Sequence, residues 1–232
     1  MMQQSDYWAE FWKSYGKEAS TKDEQTQVLR TFNKEPISKT LWKFTLQGIE
    51  RQIAPRSDDT MLELCCGNGL ISRYFSPKVH TVTSVDISDD LLRSIDCLEY
   101  PNIKLVSSDI RELNYEDCSF SKVIIYAGIQ YLTLAETTKL FERVYRWLKP
   151  GGIFFIGDIP NNDKRWIFYN TPERQVVYFQ NLKEGKDVVG TWFSPDFFEK
   201  LSEFVGFSSS DIIPQHTDLI YSSFRYDYKI KK

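Results

Sequence analysis

The residues that could do chemistry in this chain are few, and their order is informative. Glu63-Leu-Cys65-Cys66-Gly67-Asn68-Gly69 sets an acid on a short apolar run, Met61 to Leu64, that ends in a glycine-bearing turn. The run is too short for a helix and is bounded by turn residues, which predicts a buried strand. Glycines there give the backbone freedom and close approach to a ligand, and a helix after them would aim free amide groups back at the loop. A second predicted strand, Val79 to Val85, ends in Asp86-Ile87. Its acid lies about 20 residues past the glycines, the spacing at which a nucleotide-binding βαβ unit offers a carboxylate to ribose hydroxyls.

The dinucleotide fingerprint itself is not met, because the third glycine of G-x-G-x-x-G would fall at Ser72. Glu63 would also repel a pyrophosphate, so a cationic or neutral nucleoside suits the turn better. On these residues the chain resembles the class I S-adenosylmethionine-dependent methyltransferases, whose first motif, roughly E-x-G-x-G-x-G, stands here as Glu63-Leu-Cys65-Cys-Gly67-Asn-Gly69. Cys65 occupies a position where the family usually has glycine; being small, it implies a slightly tighter loop. The resemblance runs from about Thr60 to Pro160 and takes in Asp86, Asp109-Ile110, Tyr126-Ala127-Gly128 and Leu148-Lys-Pro-Gly-Gly152 in order. It implies S-adenosyl-L-methionine as cofactor, held by Glu63, Cys65, Cys66, Gly67, Gly69, Asp86, Ile87, Asp109, Ile110 and Tyr126. Asp109 would bond the adenine amino group and Ile110 would pack on the ring.

Methyl transfer from a sulfonium needs alignment and, for a hydroxyl acceptor, removal of a proton. The catalytic candidates are Asp158, after the fifth strand, His216, in a turn near the end of the chain, and Tyr131, after the fourth strand. Each has a plain alternative: a hydrogen-bonded structural carboxylate, a surface turn residue, a rim aromatic. His80, at the start of a strand, reads as structural. A magnesium-assisted site would want acids at the ends of both the fourth and fifth strands; the fourth ends in Tyr126-Ala127, so no metal is expected. Ala127-Gly128-Ile129-Gln130 also stands where DNA amino-methyltransferases carry an Asp/Asn-Pro-Pro-Tyr tetrapeptide.

Composition narrows the partner. Net charge is −3 over 232 residues, with no long basic run before Lys229-Ile-Lys-Lys232, which argues against a nucleic-acid partner. No apolar stretch approaches the roughly 18 to 20 residues of a membrane span, and no signal-peptide hydrophobic region is present, so a cytoplasmic protein is expected. Cys65, Cys66, Cys97 and Cys118 form no C-x-x-C pair and read as buried free thiols. A small-molecule acceptor remains, a sugar or natural-product hydroxyl or amine among the options. The basic and aromatic stretch from Lys164 to Leu182 would suit a sugar ring or an anionic handle.

The elements that must position these residues read as an α/β, Rossmann-like, mostly parallel, doubly wound sheet of seven strands, with an antiparallel C-terminal strand and an N-terminal helical extension. The length suits a single methyltransferase domain over 1–232, with a helical cap over 1–55, a cofactor-binding core over 56–160, and an acceptor-side insert with closing strands over 161–232. Tyr7, Trp8, Phe11, Trp12 and Tyr15 would make one broad helical face, either packing on the domain or closing over the pocket. Helices are expected over Pro36 to Ile53, with Ile37, Leu41, Phe44, Thr45 and Ile49 on one side, and over Asp89 to Leu98, Ala135 to Leu148 and Pro195 to Val205. Further strands are expected over Ile103 to Val106, Val123 to Tyr126, Ile153 to Ile156, Ser208 to Ile213 and Leu219 to Tyr228. The competing reading is a non-catalytic, methyltransferase-like module that binds a nucleoside or a protein.

Overall fold

The computed structural model describes residues 4–19, 21–185 and 188–232. A seven-stranded sheet is built from β1 (Thr60–Leu64), β2 (Thr81–Asp86), β3 (Ile103–Ser107), β4 (Phe120–Tyr126), β5 (Leu148–Pro160), β6 (Ser209–Pro214) and β7 (Arg225–Lys231). Its order is 3-2-1-4-5-7-6; β1 to β5 run parallel, and β7 pairs antiparallel with both β5 and β6. The order reverses between β1 and β2 on one side and β4 on the other, and a crevice at the carboxyl ends of the strands opens at such a point.

Both faces of the sheet are covered, which is why the central strands read as nearly continuous apolar runs. One face takes α4 (Leu134–Trp147) and α6 (Pro195–Val205), whose Leu140, Phe141, Val144, Trp147 and Phe198 are fully buried against Leu62, Leu64, Val123 and Phe154. The other takes α2 (Lys39–Ile53) and α3 (Leu70–Phe75), packing Ile49, Ile53, Ile71 and Phe75 on Met61, Val82 and Ile124. Thr133 and Glu136 close a reciprocal capping box at the start of α4. An N-terminal helix, α1 (Gln4–Ala19), lies across the carboxyl ends of the strands, and α5 (Pro172–Lys183) stands in the segment after β5. No helix among the described residues is long and apolar enough to cross a membrane.

Several boundaries differ from the sequence reading, each for a local reason. The helix expected over Asp89 to Leu98 stops at Leu92: Asp96 accepts the Leu98 amide on its side chain and the Tyr100 amide on its carbonyl, and Leu98 is left exposed. α2 starts at Lys39 behind its N-cap Ser38, and its buried face is Trp42, Thr45, Leu46, Ile49 and Ile53 rather than one led by Leu41 and Phe44. β5 does not end at Ile156; it continues through a bulge to Pro160, with Asp158 at the irregularity in a left-handed conformation, φ 60°. The last strand begins at Arg225 rather than Leu219, because residues 216–224 fold into successive turns closed by Leu219, Ser222 and Phe224 amides. Ser194 precedes α6 without a side-chain capping bond. Of the cysteines, Cys66 is buried, whereas Cys97 and Cys118 are exposed.

Candidate active site

The turn after β1 is held in an unusual backbone shape. Cys65, Gly67 and Gly69, alternate residues of the loop, all have positive φ, at 56°, 56° and 75°. Glycine adopts this region freely, whereas a side chain there costs roughly 1 kcal/mol or more, so Cys65 carries strain its neighbours avoid. A Cβ on Gly67 would lie 2.6 Å from Val28 Cγ1, and one on Gly69 2.5 Å from Ile95 Cδ1. The loop is thus enclosed on one side by the N-terminal segment and on the other by the turns that follow β2.

Asp86 fastens this loop to the end of β2. Its Oδ2 accepts the Gly67 amide at 2.7 Å and its Oδ1 accepts the Ser88 amide at 2.9 Å. Burial raises its carboxyl above the ordinary range, opposed by those amides. Glu63 lies beneath, accepting a short hydrogen bond from the Ser72 hydroxyl, and burial pushes it up to about 8. Burial likewise drives the thiols of Cys65 and Cys66 well above their usual value, so neither is poised as a thiolate. Asp109, after β3, is gripped by Arg111 through Nε and Nη2, at 2.9 and 2.7 Å to Oδ2; burial would raise its carboxyl, but Arg111 more than offsets this.

Arg111 also reaches Asp6 on α1 at 2.7 Å and Glu136 on α4 at 3.2 Å, which pins α1 over the site. The pinned helix lays Trp8 and Trp12 against Tyr131, with ring centroids 4.8 and 5.6 Å apart. Asn68 is bound from the same N-terminal segment, its Nδ2 donating to the Glu24 carbonyl and to Gln27 Oε1, both at 2.9 Å.

These parts enclose one cavity of about 500 Å³, within the range of small-molecule sites. The structure brings to its walls Glu63, Cys65, Cys66, Gly67, Asp86, Ile87, Asp109, Ile110, Tyr126, Tyr131 and Asp158. Gly69 stands just behind, as the N-cap of α3. His216 is not brought there: it is more than half exposed, packs edge-on against Phe44 at 4.9 Å, and accepts the Asp218 amide.

Asp158 does reach the cavity, in a setting that opposes a base. Arg30 Nη1 and Arg225 Nη1 both donate to its Oδ2, at 2.8 and 3.0 Å. Burial would raise its carboxyl, but Arg225 and Arg30 together hold it below the ordinary value. Tyr131 is pushed by burial to about 12, so at neutral pH its phenol is a hydrogen-bond donor. Sequence reasoning did not single out Arg30 or Arg225. Arg30 lies in a polar stretch with no periodicity to mark it. Arg225 had one legible sign: with Asp227 it falls on the strand face opposite the buried Tyr226, Tyr228 and Ile230.

The residues fit an adenosyl cofactor. The glycine loop is a cradle that a Cβ at Gly67 would fill, Asp86 stands at the adjacent strand end, and the space continues past Asp109 and Ile110. Residues 61–152 match a family model described as a methyltransferase domain. An uncharacterized methyltransferase of Synechocystis is 28% identical over 109 residues, covering 47% of this chain and 50% of that protein. The demethylmenaquinone methyltransferase of Staphylococcus aureus is 30% identical over 111 residues, covering 45% of each. The chain therefore spans about half the length of these curated relatives. Among solved structures, a DhpI–SAH complex superimposes with a TM-score of 0.67 at 15% identity, covering 98% of this chain and 96% of that one, a likeness of fold. The matched segment, the strand order and the glycine loop agree in likening residues 61–152 to a methyltransferase domain.

Proposed function

We propose that this protein is a cytoplasmic methyltransferase that uses S-adenosyl-L-methionine and acts on a small-molecule acceptor. In this reading 1–232 is one domain, and the cap over 1–55 and the segment over 161–232 build the acceptor half of the site. One observation carries it: the loop fastened by Asp86 opens into the same cavity as a wall of aromatic and arginine side chains. Donor and acceptor would then share one enclosed space. Two relatives are named for small-molecule acceptors, demethylmenaquinone in Staphylococcus aureus and phosphoethanolamine in Triticum aestivum.

The roles divide as follows. S-adenosylmethionine supplies a methyl group already activated by its positive sulfur. Gly67, Gly69 and Asp86 form the nucleoside seat, with Asp109 and Ile110 beside the base. Asp109 would meet the adenine amino group with a carboxylate already charged and oriented by Arg111. Tyr126, Gln130 and Tyr131 line the passage between the halves. Trp8 and Trp12 exclude water there, which strengthens every polar contact inside. Among the described lining residues, Asp158 is an ion-paired acceptor and Tyr131 a donor, so the protein's contribution is alignment and desolvation. An acceptor of this site therefore brings its own ionised or lone-pair nucleophile.

Isothermal titration with S-adenosylmethionine, S-adenosylhomocysteine and NAD tests the reading. Micromolar binding of the two sulfur nucleosides without NAD is expected. Failure of both to bind would overturn it, and binding without turnover on any acceptor would favour the non-catalytic module.

A further inference from the structure

Resting on that reading, we infer that Arg30 and Arg225 form a seat for an oxyanion carried by the acceptor, a carboxylate or a phosphoryl group. Arg30 comes from the N-terminal cap and Arg225 opens β7, yet both heads converge on one oxygen, Asp158 Oδ2. Their side chains are 13% and 11% exposed and that of Asp158 is 4%, so all three are nearly stripped of bulk water. Within this cluster of the lining the charges sum to +1, the guanidinium groups of Arg30 and Arg225 against the carboxylate of Asp158. Asp227 stands behind them, its Oδ1 taken by the Asp158 amide and Gln215 Nε2, and does not line the cavity.

Each guanidinium has five N–H donors in a planar fork. The hydrogen bonds to Asp158, including that from Arg225 to its carbonyl, use only Nη1 of each arginine. Arg225 Nε is buried without a hydrogen-bond partner. A buried charged donor left unpaired is costly, so this group points to a missing acceptor atom.

The heads are also held in place. Arg30 Cζ lies 4.8 Å from the Tyr126 ring centroid, and Arg225 Cζ lies 5.1 and 5.8 Å from those of Tyr221 and Phe224. Contact with these rings restrains each head, and the N–H groups not bound to Asp158 remain for hydrogen bonds, the planar fork that favours bidentate capture of a carboxylate or phosphoryl group. A purely structural clip between cap and sheet would need only Arg30. Arg225 shares a sheet with Asp158 and adds nothing to that closure. A cationic acceptor would meet two arginines and be repelled.

The test titrates methylphosphonate, benzoate and ethylammonium into the full chain saturated with S-adenosylhomocysteine. At least one of the two anions is expected to bind and ethylammonium is not; which anion binds separates phosphoryl from carboxylate. Arg225→Lys, which keeps the charge and loses the fork, is expected to weaken anion binding about tenfold, the loss of roughly one charge-assisted hydrogen bond, with S-adenosylhomocysteine affinity retained. If Arg225→Lys loses the nucleoside as well, Arg30→Lys takes its place in the same comparison. Nucleoside binding with no preference for anions, or anion affinity unchanged in the lysine variant, would overturn the seat. Absence of nucleoside binding in the unaltered protein would instead overturn the transferase reading.

Discussion

On the nucleoside side of the cavity the working parts are backbone: the Gly67 and Ser88 amides fixed by Asp86, and a turn whose alternate residues have positive φ. On the acceptor side they are side chains gathered from distant places: Trp8 and Trp12, Arg30, Tyr131, Asp158 and Arg225. The first wall is local, and a short run of sequence specifies it because only certain residues tolerate its backbone angles. The second exists only when the cap, the bulge in β5 and the start of β7 are brought together. Change in the first wall should weaken nucleoside binding; change in the second should alter what is methylated.

The largest effect is expected at Asp86. Replacing it with alanine leaves two loop amides unpaired, each worth about 1–3 kcal/mol, and affinity for S-adenosylhomocysteine should fall on the order of 100-fold by titration. Affinity near the unaltered value would break the division at its first wall. Next, Trp8→Ala removes a side chain that is 7% exposed and packs on Tyr131. A loss of about 2–3 kcal/mol in denaturant unfolding is expected, with amide exchange rising along α1 while β1 and β4 stay protected. Uniform loss of protection would mean that α1 is part of the core rather than a cover.

Gly67→Ala should cost about 1–2 kcal/mol, from the left-handed angle and the approach to Val28. Adding Val28→Ala should restore the steric share and leave the conformational share, read as melting temperature and nucleoside affinity in the double variant. Full restoration would show that the loop's backbone shape is not the constraint. The smallest change lies behind the second wall. Burial holds Asp227 at about 6, above its ordinary value, so the folded protein keeps that proton more tightly than the unfolded chain. Its contribution to stability is complete below about pH 4 and is lost as pH rises through 6. Both hydrogen bonds to Asp227 end on Oδ1, which asparagine can reproduce. Asp227→Asn should therefore stabilise by about 1 kcal/mol at pH 7.5 and not at pH 4, in paired thermal melts. An equal shift at both values would remove the titration as the cause.

The sequence by itself determined the sheet and the nucleoside wall. Short apolar runs bounded by turn residues marked β1 to β4, and the punctuation around Gly67 and Asp86 marked the turn, because buried parallel strands and positive φ restrict residue type position by position. It also placed the basic and aromatic side chains that follow β5, but not their use. Only the tertiary structure decided that Asp158 sits on a bulge between two arginines, that His216 faces away beside Phe44, and that Arg30 reaches the cavity at all. Those outcomes depend on side chains up to 195 positions apart, as Arg30 is from Arg225. A charged residue in a polar stretch looks the same whether it ends in water or in the one buried space where its partners meet, since the packing of α1 and β7 over the strand ends, rather than any local backbone demand, makes the difference.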